Sequence, residues 1–485
     1  MKAKSLKINA LLNSIRSLMS VLFPLITFPY VSRVLNVSGI GKYNFSASII
    51  SYFQLLASLG ITTYAVREGA KYRDNKRVIS KFINEMFSIN CFSAFLAYFL
   101  LIICLLVFDK LHPYTFCILI FSLEIIFSVI SVDWLFTIYE DFAYITIRSI
   151  MFQIIAIVLL FLFVRKQDDY LIYATITAFS AVGANILNFL KASRVHKFRL
   201  TLHFNYRKHL APILILFAVN VNNIIYVNSD ITLLGIFKSN YIVGIYSVSS
   251  RIYSIIKTVI SAMLIVTVPR LAYFIGENKL SQYKSLLKKL TGNLIILTLP
   301  ASLGLFMLSK QVILIISGTK YLRAVNSLRI LTFAYIFSIL AWILSDCVLI
   351  PTKNEKKVLI SMTISAISNI VFNLLWIPTL SENAAAISTV LAELLMFIFN
   401  LYYSRKFVKG SFISRDTLIT AFQSLIGCLG IVCTCKLVCM YISSLYLQVI
   451  LAIFFSAFIY VVILLVEKND YMNAIIRIAY EQIKR

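Results

Sequence analysis

Ionisable side chains interrupt the long apolar segments of this sequence of 485 residues. A charge in the middle of a membrane costs about 3 kcal/mol on insertion scales, so each one that an apolar segment retains is a candidate for function. The apolar segments contain Arg16, Glu124, Asp133, Arg148, Asp230, Arg251, Lys257, Arg329, Glu393 and Lys436. Their depth within each segment separates those that can reach water from those that cannot.

The cations lie at different depths. A long side chain within a turn or two of a segment end can extend to the lipid headgroups, and this is our interpretation of Arg148, Arg329 and Lys436. Arg251 lies about ten residues into its segment, about 15 Å deep by helical rise, and has no short route to water. Lys257 lies further in on a different face, and Arg16 is about a turn or two into the first segment.

Carboxylates occupy the same segments. Glu124 and Glu393 lie in the middle of their segments, whereas Asp133 and Asp230 lie near segment ends. A buried carboxylate can carry a proton or hold a cation. We therefore name Glu124, Asp230 and Glu393 as candidate ion-coupling residues. For Asp230, as for Asp133, the alternative is a helix cap or the partner of a nearby cation.

The apolar segments predict an all-α polytopic membrane protein. The chain is 60% hydrophobic and 14% charged, with a mean hydropathy of +0.88. Segments of about 18 or more apolar residues, enough to cross the hydrocarbon as a helix, recur along nearly all of it. We predict about 14 transmembrane helices at 12–32, 43–66, 85–108, 113–136, 147–164, 170–190, 210–235, 241–268, 290–307, 324–350, 358–378, 383–403, 417–439 and 445–466.

The distribution of cations predicts the topology. The net charge is +26, and roughly 31 of the Lys and Arg residues fall in alternate loops and the two tails, against roughly nine in the opposite loops. Both termini are therefore expected in the cytoplasm, and the basic loops are expected to meet anionic lipid headgroups rather than nucleic acid. The eight cysteines and four histidines show no metal-ligand spacing, so we predict no metal and no other cofactor.

A repeat with a constant offset of about 203 positions organises the chain. The first copy contains Gly41, Tyr43, Ser46, Ile49, Ser51, Ser58 and Arg67, and the second contains Gly244, Tyr246, Ser249, Ile252, Ser254, Ser261 and Arg270. This predicts two parallel six-helix pseudo-repeats around a central cavity, 1–200 and 201–410, with two extra C-terminal helices and a tail at 411–485. The alternative is a chance likeness of two membrane helices.

Several motifs resemble a known family. They are Phe28-Pro29, Arg33-x-Leu35, Gly39-x-Gly41-x-Tyr43, Leu59-Gly60-Ile61, Arg67-Glu68-x-Ala70-x-x-Arg73, Asp133-Trp134-Leu135-Phe136, Phe142-x-Tyr144-Ile145-x-x-Arg148, Asn228-x-Asp230 and Val243-Gly244-x-Tyr246. Together they resemble the bacterial O-antigen and capsule repeat-unit flippases (Wzx-type) of the multidrug, oligosaccharidyl-lipid and polysaccharide exporter superfamily. Thr137-Ile138 stands where members usually have Gln-Gly, so the local turn is expected to differ.

The resemblance implies a flippase that moves undecaprenyl-diphosphate-linked oligosaccharide repeat units across the bacterial inner membrane by alternating access, with H⁺ or Na⁺ as candidate coupling ions. We predict that Arg16, Arg251 and Lys257 line the central cavity, because cationic side chains suit the oxygens of a diphosphate. The alternative is that each pairs with a neighbouring carboxylate. Asn223 is a candidate contact for sugar hydroxyls, although such amides also tie helices together. Polysaccharide polymerase and chain-length proteins are partners implied by the family alone.

Two other functions compete with this interpretation. Multidrug efflux by the same superfamily would favour an acidic cavity for cationic drugs, whereas Arg16 and Arg251 are basic. A membrane enzyme of polysaccharide synthesis would need catalytic acids or arginines in a sizeable outer loop, but the longest outer segment predicted, 309–323, has no acidic residue. We therefore expect a transporter rather than an enzyme.

Overall fold

Helices form the long elements of the protein in a computed structural model that describes residues 6–201 and 206–483. In the described residues the α-helices are α1 Leu6–Val34, α2 Val37–Ser58, α3 Ile61–Gly69, α4 Lys76–Val107, α5 Thr115–Ser128, α6 Asp133–Ile138, α7 Phe142–Phe163, α8 Tyr170–Ser193, α9 Tyr206–Phe237, α10 Asn240–Gly276, α11 Leu280–Ile316, α12 Ala324–Leu344, α13 Glu355–Leu380, α14 Glu382–Val408, α15 Arg415–Tyr441, α16 Leu445–Val466 and α17 Asp470–Ile483.

The long helices follow the apolar segments of the sequence. Polar side chains cap the first turn of several of these helices. The Asn36 side chain accepts the N–H of Gly39 at the start of α2, and Asn75 accepts the N–H groups at the start of α4. Ser414 and Thr417 form a capping box at the start of α15. Each cap satisfies backbone donors that have no partner within the helix.

The prediction of a polytopic helical membrane protein is confirmed. Twelve helical segments of the described residues are long and apolar enough to cross a membrane. The two remaining predicted segments, 12–32 and 241–268, coincide with α1 and α10. Within the predicted tail, Asp470–Ile483 forms a further helix, α17.

Two of the predicted segments are broken rather than continuous. The segment 43–66 divides into α2 and α3 at Leu59 and Gly60, whose φ angles are 45° and 76°. Such left-handed backbone ends a helix, and glycine adopts it without steric cost. The segment 113–136 likewise divides into α5 and α6. Hydropathy does not register these breaks, because the residues on either side remain apolar.

The two copies of the repeat meet at their equivalent glycines. Gly41 lies against the backbone carbonyl of Asn240, and Gly244 lies against the backbone carbonyl of Val37. Asn240 and Val37 occupy the same position in the two copies, so the two contacts are reciprocal. A Cβ on either glycine would overlap a carbonyl oxygen.

The chain divides into two compact units, Met1–Ser247 and Val248–Arg485. In the first unit, α2 packs against α4, α5 and α9, and α3, α4 and α6 enclose a core that includes Phe82, Met86 and Trp134. In the second, α12 packs against α14, and α11 packs against α15 and α16. The division into lobes at 1–200 and 201–410 stays a prediction.

Candidate functional site

A polar cavity of about 380 Å³ lies within the first unit. Its lining residues in the described part of the chain are Ser51, Gln54, Leu55, Ser58, Ile61, Thr62, Asn90, Ser128, Ser131, Trp134, Asn185, Asn220, Asn223 and Ile224. Ten of these carry a neutral amide or hydroxyl group, and none is ionisable. We call this space the amide cavity.

The broken helices position the walls of the amide cavity. The end of α2 and the start of α3 supply one wall, and the interrupted backbone between α5 and α6 supplies Ser131. Amides from α4, α8 and α9 complete the lining. Interrupted helices are common around transport sites in membrane proteins, because irregular backbone is tolerated where it lines a cavity.

Several amides of the cavity have unused hydrogen-bonding capacity. Asn185, Asn220 and Asn223 make no side-chain hydrogen bond to any described residue. Asn90 donates to the carbonyl of Ser128 at 3.3 Å, but its Oδ1 atom is buried without a partner. Amides beside an aromatic ring, here Trp134, suit a neutral ligand rich in hydroxyl groups.

Glu124 lies one hydrogen bond away from the amide cavity. Gln54, which lines the cavity, donates its Nε2–H to Glu124 Oε2 at 3.4 Å. The Glu124 side chain is half-buried on α5. This candidate acid can therefore influence the cavity through Gln54 without lining it.

Asp133 holds four helices of the first unit together. Arg148 Nη2 on α7 lies 3.0 Å from Asp133 Oδ1, and Asn188 on α8 donates to the same carboxylate. Arg16 Nη2 on α1 lies 3.9 Å away from it. The structure thus brings Arg16 to a carboxylate, which was the alternative for this residue.

The interpretation of Arg148 as a headgroup contact was wrong. Its side chain is only 5% exposed, and it also donates to the carbonyl of Ala184 at 3.1 Å. A buried guanidinium needs such partners because leaving it unpaired would cost several kcal/mol. The position of Arg148 near a segment end concealed this, because Asp133 lies 15 positions earlier and meets it only through the fold.

Asp230 lies near the end of α9 and is 7% exposed. It accepts the Tyr246 hydroxyl hydrogen bond at 2.5 Å. Tyr52 and Thr232, close to it, join α2 to α9 through their hydroxyl groups at 3.1 Å. Asp230 is therefore part of a hydrogen-bonded junction at the meeting of the two repeat copies, and its role in ion coupling stays a prediction.

Lys257 and Glu393 form an ion pair in the second unit. Lys257 Nζ lies 2.8 Å from Glu393 Oε1, and the Tyr253 hydroxyl donates to the same oxygen at 3.1 Å. The lysine side chain is 28% exposed, whereas the glutamate is 3% exposed. For Lys257 the structure therefore shows the alternative, pairing with a carboxylate.

Arg251 stands apart from the other deep cations. Its side chain is exposed and makes no ion pair or hydrogen bond with any described residue. Ser254 and Thr258, three and seven residues later, are exposed on the same side of α10. Arg251 thus belongs to a polar helix face and is available to an anionic ligand.

Sequence reasoning named Asn223 as a candidate sugar contact, but it missed Gln54, Asn90, Asn185 and Trp134 as lining residues of the amide cavity. A signal for three of them was present, because Gln54, Asn90 and Asn185 are amides within apolar segments. The missing information was the rotation of each helix, which decides whether an amide faces a cavity or another helix.

Comparisons with known proteins give consistent results. A family model described as "Polysaccharide biosynthesis protein" matches residues 6–275. A protein of Escherichia coli (strain K12) named "Putative O-antigen transporter" is 25% identical over 274 residues, which are 56% of this chain and 66% of that protein. The matched region thus spans just under two thirds of that relative's length.

Two solved structures share the fold. A structure described as "Lipid II flippase MurJ, inward closed conformation" has a TM-score of 0.71 at 16% identity and covers 94% of this chain and 98% of its own. An inward-facing multidrug resistance MATE family transporter of the MOP superfamily has a TM-score of 0.63 at 14% identity, with 83% and 98% covered. At these identities the likeness establishes the fold.

Proposed function

Because the chain belongs to the polysaccharide biosynthesis protein family, we propose that it is a flippase for undecaprenyl-diphosphate-linked oligosaccharide repeat units of O-antigen or capsule. The resemblance to flippases of the exporter superfamily is confirmed by the family match, the Escherichia coli relative and the shared fold. Transport by alternating access needs no covalent chemistry, so the protein has no catalytic residue in this proposal.

The amide cavity is the observation that carries the proposal. An oligosaccharide offers many neutral hydroxyl groups and apolar ring faces, and the cavity offers amides, hydroxyls and Trp134. Water in a hydrated cavity exchanges readily with such groups, so a polar substrate can bind without the large desolvation cost that a charge would carry. Cationic drugs would find no acid among the described lining residues, which disfavours the alternative of multidrug efflux.

Arg251 supplies the candidate contact for the diphosphate. Its planar guanidinium is permanently charged and can donate to two phosphate oxygens at once. Two further cations are candidates for the same contact. Arg16 lies at the long distance of 3.9 Å from Asp133, and Lys257 is partly exposed. In this proposal the anionic substrate competes with the carboxylate partners of Arg16 and Lys257.

Ion coupling would use the acids of the apolar segments. Glu124 and Asp230 each accept a hydrogen bond from a neutral donor, Gln54 or Tyr246. Glu393 accepts one from Tyr253 and also pairs with the charged Lys257. A carboxylate with neutral donors can take up a proton or a sodium ion in one conformation and release it in another. We propose that H⁺ or Na⁺ drives the return step through these residues.

The proposed setting is the bacterial inner membrane, with both termini in the cytoplasm. The chain itself is a multi-pass membrane protein, and the excess of cations in alternate loops supports the orientation. Membrane lipids surround it there, and proteins of polysaccharide polymerisation and chain-length control are the proposed partners downstream.

A matched pair of amides tests the proposal. Asn223 lines the amide cavity, whereas its neighbour Asn222 donates to the carbonyl of Ala218 at 3.2 Å. In a strain lacking this gene, Asn223→Ala should lower surface polysaccharide about 2- to 10-fold relative to wild type, the range expected for one lost hydrogen bond. Asn222→Ala should restore it nearly fully. Equal activity of the two variants, at equal protein levels, would contradict a sugar-binding role for the cavity.

A further inference from the structure

A second cavity, of about 660 Å³, lies at the junction of α10 and α11 in the second unit. Its lining residues are Arg270, Phe274, Ser281, Gln282, Ser285, Leu286 and Lys289. We call it the hairpin groove, because α10 and α11 are joined there by a turn at Asn278 with φ of 55°. Its polar residues are exposed, and Phe274 and Leu286 are half-buried.

The cations of the hairpin groove differ from two neighbouring lysines in having no carboxylate partner in the described part of the chain. Arg270 and Lys289 make no ion pair with any described residue, and Arg270 lies only against the Phe274 ring at 5.7 Å. Lys279 and Lys288 are close in sequence but outside the groove, and each has an acid: Glu277 at 3.6 Å for the first, Asp416 for the second. Within the described ranges, Arg270 and Lys289 therefore lack the carboxylate partner that Lys279 and Lys288 have, as does Lys284, an exposed cation of α11 that does not line the groove.

The repeat supports this distinction. Arg67 is the equivalent of Arg270 in the first copy, and its Nε atom lies 3.4 Å from Glu68. The position after Arg270 is Leu271, which is fully buried. The second copy thus keeps the cation but has an apolar residue where the first copy has the acid.

The groove combines cations, hydroxyls and an apolar floor. Ser281 and Ser285 lie one turn apart on α11, and Lys289 lies one turn further. Arg and hydroxyl donors suit the oxygens of a phosphate ester, and the Phe274 and Leu286 side chains suit a hydrocarbon chain. We propose that the hairpin groove binds the phosphate group of a membrane lipid, on the side of the membrane where the basic loops are predicted to lie.

Lipid retention by the purified full-length protein tests this proposal. The probes are phosphatidylglycerol and undecaprenyl phosphate, each added to detergent-solubilised protein and counted by native mass spectrometry. Arg270→Gln/Lys289→Gln should lower the bound fraction about tenfold or more, because two charge-assisted contacts are lost. The matched control Lys279→Gln/Lys288→Gln removes the same charge and should change it less than about twofold.

The outcomes separate the possibilities. An equal loss in both double variants would mean diffuse surface attraction, and no loss in either would mean that the groove holds no lipid; both results overturn the proposal. Ser285→Asp adds an acid to the groove at an exposed position and should also abolish retention. This second variant keeps the test valid if the double variant misfolds. The lipid whose retention falls more in Arg270→Gln/Lys289→Gln is the one whose phosphate the groove binds. Because no transport is measured, failure here leaves the proposed flippase function untouched.

Discussion

The ion pair of Lys257 and Glu393 joins a buried carboxylate to a partly exposed lysine. Glu393 is 3% exposed and depends on Lys257 and Tyr253 for its partners. Lys257 is 28% exposed and retains access to a ligand. Breaking the ion pair therefore costs more folding free energy when Glu393 is left unpaired than when Lys257 is left unpaired.

Substitution of this pair separates the two roles. Lys257→Ala should destabilise the purified protein by about 3 to 5 kcal/mol, because it leaves a buried carboxylate unpaired. Lys257→Met/Glu393→Gln removes both charges and should recover most of that loss in a thermal unfolding measurement. If Glu393 carries the coupling ion, the stable double variant should nevertheless fail to respond to a proton or sodium gradient. Full gradient-driven transport by the double variant would exclude both residues from the mechanism.

The sequence predicts the environment of a single charged residue only as far as its depth within an apolar segment decides that environment. Arg251 was predicted to lie far from water and to line a cavity, and this stays a prediction; the structure shows an exposed side chain without an ion pair or hydrogen bond to any described residue. Arg148 was misjudged because its pairing with Asp133 depends on the packing of α6 against α7. Hydropathy locates a membrane segment and thereby the depth of a residue within it. The ion-pair and hydrogen-bond partners of that residue depend instead on the rotation of its helix and on the neighbouring helices.

At the scale of helices, the reciprocal glycine contacts fix where α2 and α10 cross. Gly41→Ala would place a Cβ on the carbonyl oxygen of Asn240, and backbone cannot shift as a flexible side chain can. The first turns of the two helices would have to separate, at a cost of about 1 to 3 kcal/mol. We expect a lower unfolding temperature and reduced surface polysaccharide, with the same result for Gly244→Ala.

Gly304→Ala is the control for this prediction. It lies within α11, where an added Cβ would meet no atom within 4 Å. Alanine is favoured over glycine inside a helix by up to about 1 kcal/mol, so this variant should be as stable as wild type or slightly more stable. Gly41→Ala with the stability of Gly304→Ala would show that the crossing tolerates separation.

Helix existence was predictable, but helix interruption was not. Length and hydropathy identify membrane-spanning helices, and each predicted segment from 147–164 onwards coincides with one helix. The bounds were less accurate for α10 and α11, which extend well beyond 241–268 and 290–307. The breaks at Gly60 and between α5 and α6 depend on backbone angles and on close contacts, such as the approach of Gly60 to Leu216. These breaks shape the amide cavity, so most of its lining could not be foreseen.

At the scale of the whole molecule, polar chemistry and positive charge have separate locations. The amide cavity of the first unit is neutral in its described lining, whereas Arg251 and the hairpin groove belong to the second unit. In the proposed function the amide cavity is the candidate contact for neutral sugars and Arg251 is the candidate contact for the anionic diphosphate, whereas the hairpin groove is proposed for a membrane lipid.

The leaflet in which the lipid-linked precursor resides is the most direct test of this function. In a bacterium whose own repeat-unit flippase gene is deleted, the precursor should accumulate in the inner leaflet, and expression of this protein should return it to the outer leaflet. Arg251→Ala, expressed at the normal level, should leave the precursor inside, because the diphosphate would lose its permanent cation. Precursor that stays in the inner leaflet despite expression of this protein would contradict the flippase assignment and make drug efflux the leading alternative.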